Sequence, residues 1–156
     1  MHKQLLEADF DLETVLKEWS EDCTIPQHQL DEVSRHTPSL HAKYLQYHAL
    51  AKLQLKRCEN SQKTLLLKKF KYYNGKMDED ELRATGWDLD PFNGLRILKG
   101  DMDLYYDADP EIQKSEERIA YYKTLIETLS NIVDTLKWRH QTIGNMIKWR
   151  QFEAGG

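Results

Sequence analysis

Little in this sequence interrupts a helix, and little in it would cross-link one. Of its 156 residues seven are glycine and four are proline. The long runs free of both favour extended helices over strands and turns, so the expected fold class is all-α. Cysteine is nearly absent: Cys23 and Cys58 lie far apart with no CxxC spacing. This argues against a disulfide framework or a zinc site and leaves two ordinary reduced thiols. There is no apolar run of the roughly 18 residues that a membrane span needs, and the opening MHKQLLEADFDLETVL carries charges every few residues without an apolar h-region. The expectation is therefore an intracellular protein that is neither exported nor embedded. Phosphate-loop, GxSxG and HExxH signatures are also missing, and the histidines do not fall at metal spacing, His36 and His41 being five residues apart and His41 and His48 two turns apart. We expect no catalysis, no cofactor and no metal.

What is present is charge, and it is segregated. The chain is 40% apolar and 31% charged with a net charge of −4, the composition of a folded protein. Residues 1–38 hold nine acids and three bases, whereas residues 39–76 hold nine bases (Lys43, Lys52, Lys56, Arg57, Lys63, Lys68, Lys69, Lys71 and Lys76) against Glu59 alone. Residues 77–111 swing back to eleven acids and three bases, and the remainder carries seven bases and five acids. A charged partner meets a local field rather than the net charge, so this alternation is the first functional clue.

Hydrophobic spacing predicts a first helix over about residues 4–21, with Leu5, Leu6, Phe10, Leu12, Val15, Leu16 and Trp19 as its apolar stripe, stopped by Cys23-Thr24-Ile25-Pro26. A short helix over 27–35 is expected to end before Pro38, because proline disfavours helical backbone in the residue ahead of it. From Pro38 to Asn74 nothing breaks a helix and Asn74-Gly75 is a good stop, giving a rod about 55 Å long at 1.5 Å per residue. Residues 77–109 collect breakers and acids, which reads as a partly irregular acidic linker with a hairpin around Trp87 to Leu98. Asp109 as cap, Pro110 as first residue and Glu111 at the positive dipole end open a last helix over about 110–152. Ile112, Ser115, Ile119, Tyr122, Ile126, Leu129, Val133, Leu136, His140, Ile143 and Ile147 repeat along it in a 3-4 rhythm. Such a seam predicts a coiled coil, and its flanking Leu125, Ile132 and Met146 favour self-association beyond a dimer. The expected organisation is a helical DNA-binding region at 1–76, the linker at 77–109 and an oligomerisation helix at 110–156.

The basic segment is the strongest chemical signal. Clustered Lys and Arg bind nucleic-acid backbones by releasing condensed counterions, whereas an ordinary solvated face mixes signs. Aromatics interleave with it: Phe70, Tyr72 and Tyr73 around Lys69 and Lys71, and Tyr44 and Tyr47 around Lys43. Unstacked bases can lie on such rings, which favours single strands; Tyr44, Tyr47 and Phe70 are equally compatible with a core. The candidate DNA contacts are Lys56, Arg57, Lys63, Lys68, Lys69, Lys71, Tyr72 and Tyr73. Lys137-Trp138-Arg139 and Lys148-Trp149-Arg150 repeat at eleven residues on nearly one helix face, either as a second DNA contact or as flanks of the oligomer seam. The acids at 78–81 and 101–109 lack the glycine and glutamate of a calcium loop. They read as a solvated linker, or as a strip that folds over the basic helix or docks a basic protein.

Several stretches carry a resemblance. Lys68-Lys69-Phe70-Lys71-Tyr72-Tyr73-Asn74-Gly75 followed by Asp78, Asp80 and Glu81, the ending Ile147-Lys148-Trp149-Arg150-Gln151-Phe152-Glu153-Ala154-Gly155, and the Lys137/Arg139 pair are similar to the UvsY recombination mediators of T4-like phages. The resemblance implies a homo-oligomeric ring, hexameric or heptameric, in the cytoplasm of the infected bacterium. It further implies that the ring binds single-stranded DNA, loads the RecA-like recombinase UvsX onto it and helps displace the phage single-stranded DNA-binding protein. Family DNA contacts include two basic residues shortly before the YY-x-G turn. One position is Lys69 here; the other falls on Leu67, with Lys68 as the available substitute. The linker is longer than the family pattern. Two other readings stay open on the residues alone: a coiled-coil adaptor whose basic helix docks an acidic protein, and an RNA-binding assembly factor.

Overall fold

The computed structural model describes residues 10–155. Among them are five α-helices and no strand: α1 (Leu12–Asp22), α2 (Leu30–Tyr73), α3 (Glu79–Thr85), α4 (Met102–Ala108), preceded by a 3₁₀ turn at Lys99–Asp101, and α5 (Pro110–Glu153). The all-α expectation holds. Packing divides the chain into two compact units, one formed by 1–54 with 122–156 and the other by 55–121. The boundaries expected at 76/77 and 109/110 instead follow the end of α2 and the start of α5.

In the first unit α1 begins later than its apolar stripe suggested. Asp11 is the cap, its carboxylate accepting from the Thr14 amide at 2.7 Å, and residues 4–9 of the expected helix lie outside the described residues. The core joins Val15 of α1, Tyr44 and Ala51 of α2, and Leu125, Leu129, Ile132, Val133 and Leu136 of α5. Tyr44 is therefore core, and Tyr47 packs on it with Phe10 stacked on its ring at 4.7 Å. The end of α1 is tied down by polar groups. Asp22 accepts from the Lys43 ammonium and the Tyr44 hydroxyl, each at 2.8 Å, and Arg139 donates to the Asp22 and Thr24 carbonyls.

The break expected before Pro38 does not occur, and α2 runs through it. A proline supplies no N–H to the Ser34 carbonyl and crowds it, but the turn is held by the Thr37 hydroxyl, which donates to the Val33 carbonyl at 2.9 Å. The stop at the other end is as expected: Gly75 takes a left-handed φ of 64°, with Lys76 N–H bonded to the Lys71 carbonyl and Gly75 N–H to that of Tyr72, a Schellman cap.

In the second unit the acidic stretch is partly helical, with α3 and α4 flanking turns and loop at 86–98. Asp78 caps α3 through the Glu81 amide, Gly86 closes that helix at φ 72°, and residues 91–94 form turns in place of the expected hairpin. Asp109 caps α5 as its sequence suggested, accepting from the Glu111 and Ile112 amides.

Pro38→Ala restores a backbone donor inside α2. It is expected to raise stability by as much as about 3 kcal/mol, read as a higher urea midpoint with an unchanged m-value.

Candidate nucleic-acid interface

The basic run of α2 separates in space by local geometry. Within the second unit Lys56, Arg57, Lys63 and Lys68 are exposed, and Lys71 is half-exposed, 3.9 Å from Glu81. Lys56 and Lys63 lie two turns apart on one side. Arg57, three turns before Lys68, and Lys71, three residues beyond it, form a neighbouring row. Along this face the helix offers one acid, Glu59. In the other unit Lys43 is engaged by Glu18 and Asp22.

Lys69 departs from this pattern. Its side chain is only 5% exposed, and its ammonium sits 2.8 Å from Asp109, 3.5 Å from Glu111 and 3.8 Å from the centre of the Trp87 ring. A strand cannot reach it in this arrangement. Tyr72 is buried with its hydroxyl donating to the Asp88 carbonyl, and Tyr73 is half-buried with its hydroxyl donating to Asp109 at 2.7 Å. The two tyrosines expected as stacking platforms therefore belong to an aromatic cluster with Trp87, Phe92, Tyr105 and Tyr106. Phe70, by contrast, is 45% exposed.

Burial penalises the Asp109 charge, but hydrogen bonds from Lys69, Tyr73 and the Ile112 amide outweigh it and hold the carboxyl below its usual 3.8. The same desolvation, with Asp109 accepting its hydroxyl proton, pushes the Tyr73 phenol up. Neither group changes charge near neutrality.

Beside this cluster a groove of about 590 Å³ opens between α2 and α3. Leu67, Lys68 and Lys71 line it from α2, Met77 and Ala84 from the α3 side, and Trp87 just beyond the Gly86 cap. Sequence reading missed Trp87 because its partners, Glu111 and Lys69, are distant in the chain; only its place directly after a helix-ending glycine marked it.

The second basic group divides as well. Lys137 is exposed and 2.9 Å from Asp134, and Lys148 and Arg150 are exposed, Arg150 donating to His28 at 3.4 Å. Arg139 is 7% exposed and spent on the end of α1. The seam read on α5 is also largely occupied within the chain. Leu129, Val133 and Leu136 are core of the first unit, Tyr122 and Ile126 pack against that core, and Ile143 is buried. Ile119 is buried in the second unit, and Ile147 is exposed. The 3-4 rhythm reports a long amphipathic helix, a pattern that a fold within one chain satisfies as well as a coiled coil between chains. Trp138, Trp149 and Phe152 are left exposed near its end.

Among the described residues no group of His, Cys, Asp and Glu is placed to hold a metal, and no helix is long and apolar enough to cross a membrane. A family profile described as the recombination, repair and single-stranded DNA-binding protein UvsY matches residues 18–156. The recombination protein UvsY of Enterobacteria phage T4 is 28% identical over 144 residues, covering 92% of this chain and 98% of that one. Among solved structures, one crystal form of the bacteriophage T4 recombination mediator protein UvsY superposes with a TM-score of 0.76 at 27% identity, covering 93% of this chain and 98% of that chain. A second crystal form gives 0.73 at 26%, covering 88% and 97%.

Lys69→Met would leave Asp109, 2% exposed, as a buried charge without its cation. The expected loss is about 3–5 kcal/mol in chemical unfolding, whereas Lys68→Met at the exposed neighbouring position should stay within about 0.5 kcal/mol. Because the Asp109 carboxyl is lowered by folding, its contribution is present above pH 3.8 and fades as pH falls through the folded value. Asp109→Asn should accordingly flatten the acid limb of the stability curve.

Proposed function

Because the chain belongs to the UvsY family of recombination, repair and single-stranded DNA-binding proteins, we propose that it binds single-stranded DNA along the exposed basic face of α2 in its second unit and acts there as a recombination mediator. The observation that carries this reading is the exposure of Lys56, Lys63 and Lys68 on the second-unit part of α2, where the helix itself offers one acid, Glu59. Lysines left to solvent keep their charge for phosphates, and each contact releases counterions. Arg57 and Lys71 share the side of Lys68, and Lys148 and Arg150 offer a second, smaller contact on α5. Lys69, Tyr72, Tyr73 and Arg139 support the fold in this reading instead of touching the strand. The protein performs no chemistry on DNA; it holds and presents a strand.

The mediator role assigns it two protein partners, a RecA-like recombinase of the UvsX kind that is loaded onto the strand, and the phage single-stranded DNA-binding protein that is displaced from it. It would act in the cytoplasm of the infected bacterium. Self-association into a ring, hexameric or heptameric, multiplies a weak site into a tight one, since copies that share one strand bind at high effective concentration. With Leu129, Val133 and Leu136 used inside the chain, that contact is assigned here to the exposed end of α5, where Trp149 and Phe152 are 62% and 70% exposed.

Replacing Lys56, Lys63 and Lys68 by alanine together should weaken binding to labelled oligo-dT at least tenfold while leaving thermal unfolding unchanged; undiminished affinity would sink the assignment. Light-scattering mass should show an oligomer that Trp149→Ala with Phe152→Ala reduces. Ile126→Asp with Val133→Asp should instead unfold the first unit, and a native monomer from that pair would return the contact to the buried seam.

A further inference from the structure

We infer that the groove between α2 and α3 takes a base of the bound strand, with Trp87 as its stacking wall, an assignment that rests on the DNA-binding reading above. Three observations converge on this groove. Its volume of about 590 Å³ falls within the roughly 300–1,000 Å³ typical of small-ligand sites. Its walls are largely apolar, from Leu67, Met77, Ala84 and Trp87, and Lys68 and Lys71 stand on its α2 side. It also shares Lys68 with the exposed basic side of α2.

Trp87 is set before any strand arrives. Gly86, in the left-handed region at φ 72°, turns the chain out of α3, and the Trp87 amide donates to the Thr85 hydroxyl at 3.3 Å. The indole N–H donates to Glu111 at 2.6 Å, and the Lys69 ammonium, which does not line the groove, lies over one face of the ring. The ring therefore lines the groove in a fixed orientation, and ordering it costs nothing at the moment of binding. Base stacking on aromatic side chains tolerates any sequence because every base has a π-face.

The charges lining the groove favour a base over a phosphate. Glu81 and Glu111 both line it, and a phosphate pushed inside would meet their carboxylates, whereas a neutral base does not. Phosphates on either side of the inserted base can reach Lys68 and Lys71, the latter paired only at 3.9 Å with Glu81. Lys69 becomes a positioning residue in this arrangement, since it acts on the strand through Trp87. Leu67, on the position where the family pattern has a basic residue, becomes part of the apolar wall.

The test compares oligo-dT with an abasic oligonucleotide of the same length and backbone, both labelled, against the full-length protein. Stacking of even one base predicts at least about fivefold tighter binding of oligo-dT. Trp87→Ala should abolish that ratio while keeping the affinity for the abasic strand, and Trp87→Phe should retain much of it. The tryptophan emission that is lost in Trp87→Phe should be quenched in the wild type by oligo-dT and not by the abasic strand, a readout that does not depend on the alanine variant folding. Equal binding of the two strands by the wild type, or a ratio that survives Trp87→Ala, overturns the groove and leaves backbone binding standing. Binding of neither strand overturns the DNA reading itself.

Discussion

A single buried ion pair organises the second unit. Lys69 and Asp109 meet at 2.8 Å with side chains 5% and 2% exposed, and taking two charges out of water is costly unless their remaining hydrogen-bonding capacity is filled. Here it is filled: Asp109 also accepts from Tyr73 and from two amides at the start of α5, and Lys69 reaches Glu111 and the Trp87 ring. One carboxylate thus caps a helix, anchors a tyrosine and neutralises a lysine. Removing either Lys69 or Asp109 leaves the other as a buried charge, which makes the end of α2 and the start of α5 mutually dependent within this unit. The acidic stretch is held through the same knot, since Trp87 and Asp88 are tied to Glu111 and Tyr72.

This constraint reshapes the basic helix. Nine bases between residues 39 and 76 read as one continuous charged surface, but Lys69 is consumed by the fold and Lys43 by Glu18 and Asp22. Lys56, Lys63 and Lys68 stay exposed in the second unit, and an apolar groove lies beside Lys68. Among the described residues, acids that the sequence places after the basic run fold onto it at Lys69 and, weakly, at Lys71. The positive face stays open over most of its length there.

Much of this was legible in the residues. The caps at Asn74-Gly75 and at Asp109-Pro110 are where local chemistry puts them, because capping depends on a few adjacent groups. Pro38 misled, since the rule about the residue before a proline describes a local preference that packing of a long amphipathic helix can override. The 3-4 rhythm of α5 predicts a helix with one apolar face, and within the chain Leu129, Val133 and Leu136 pack into the first unit's core: periodicity says that a face is buried, not which chain buries it. Lys69 was singled out by its place before the YY-x-G turn. Its partner lies far along the sequence, and no local signal distinguishes a lysine that meets phosphate from one that meets Asp109.

In the proposed function, electrostatics at the exposed lysines carries strand binding and apolar contact in the groove refines it. The most direct measurement is the affinity for single-stranded oligo-dT across about 50 to 200 mM salt. Phosphate contacts by Lys56, Lys63 and Lys68 predict a straight fall of log affinity with log salt, close to −0.7 for each contact, and a shallower slope when those three lysines are replaced. An affinity that does not change with salt would contradict the assignment of this face to DNA.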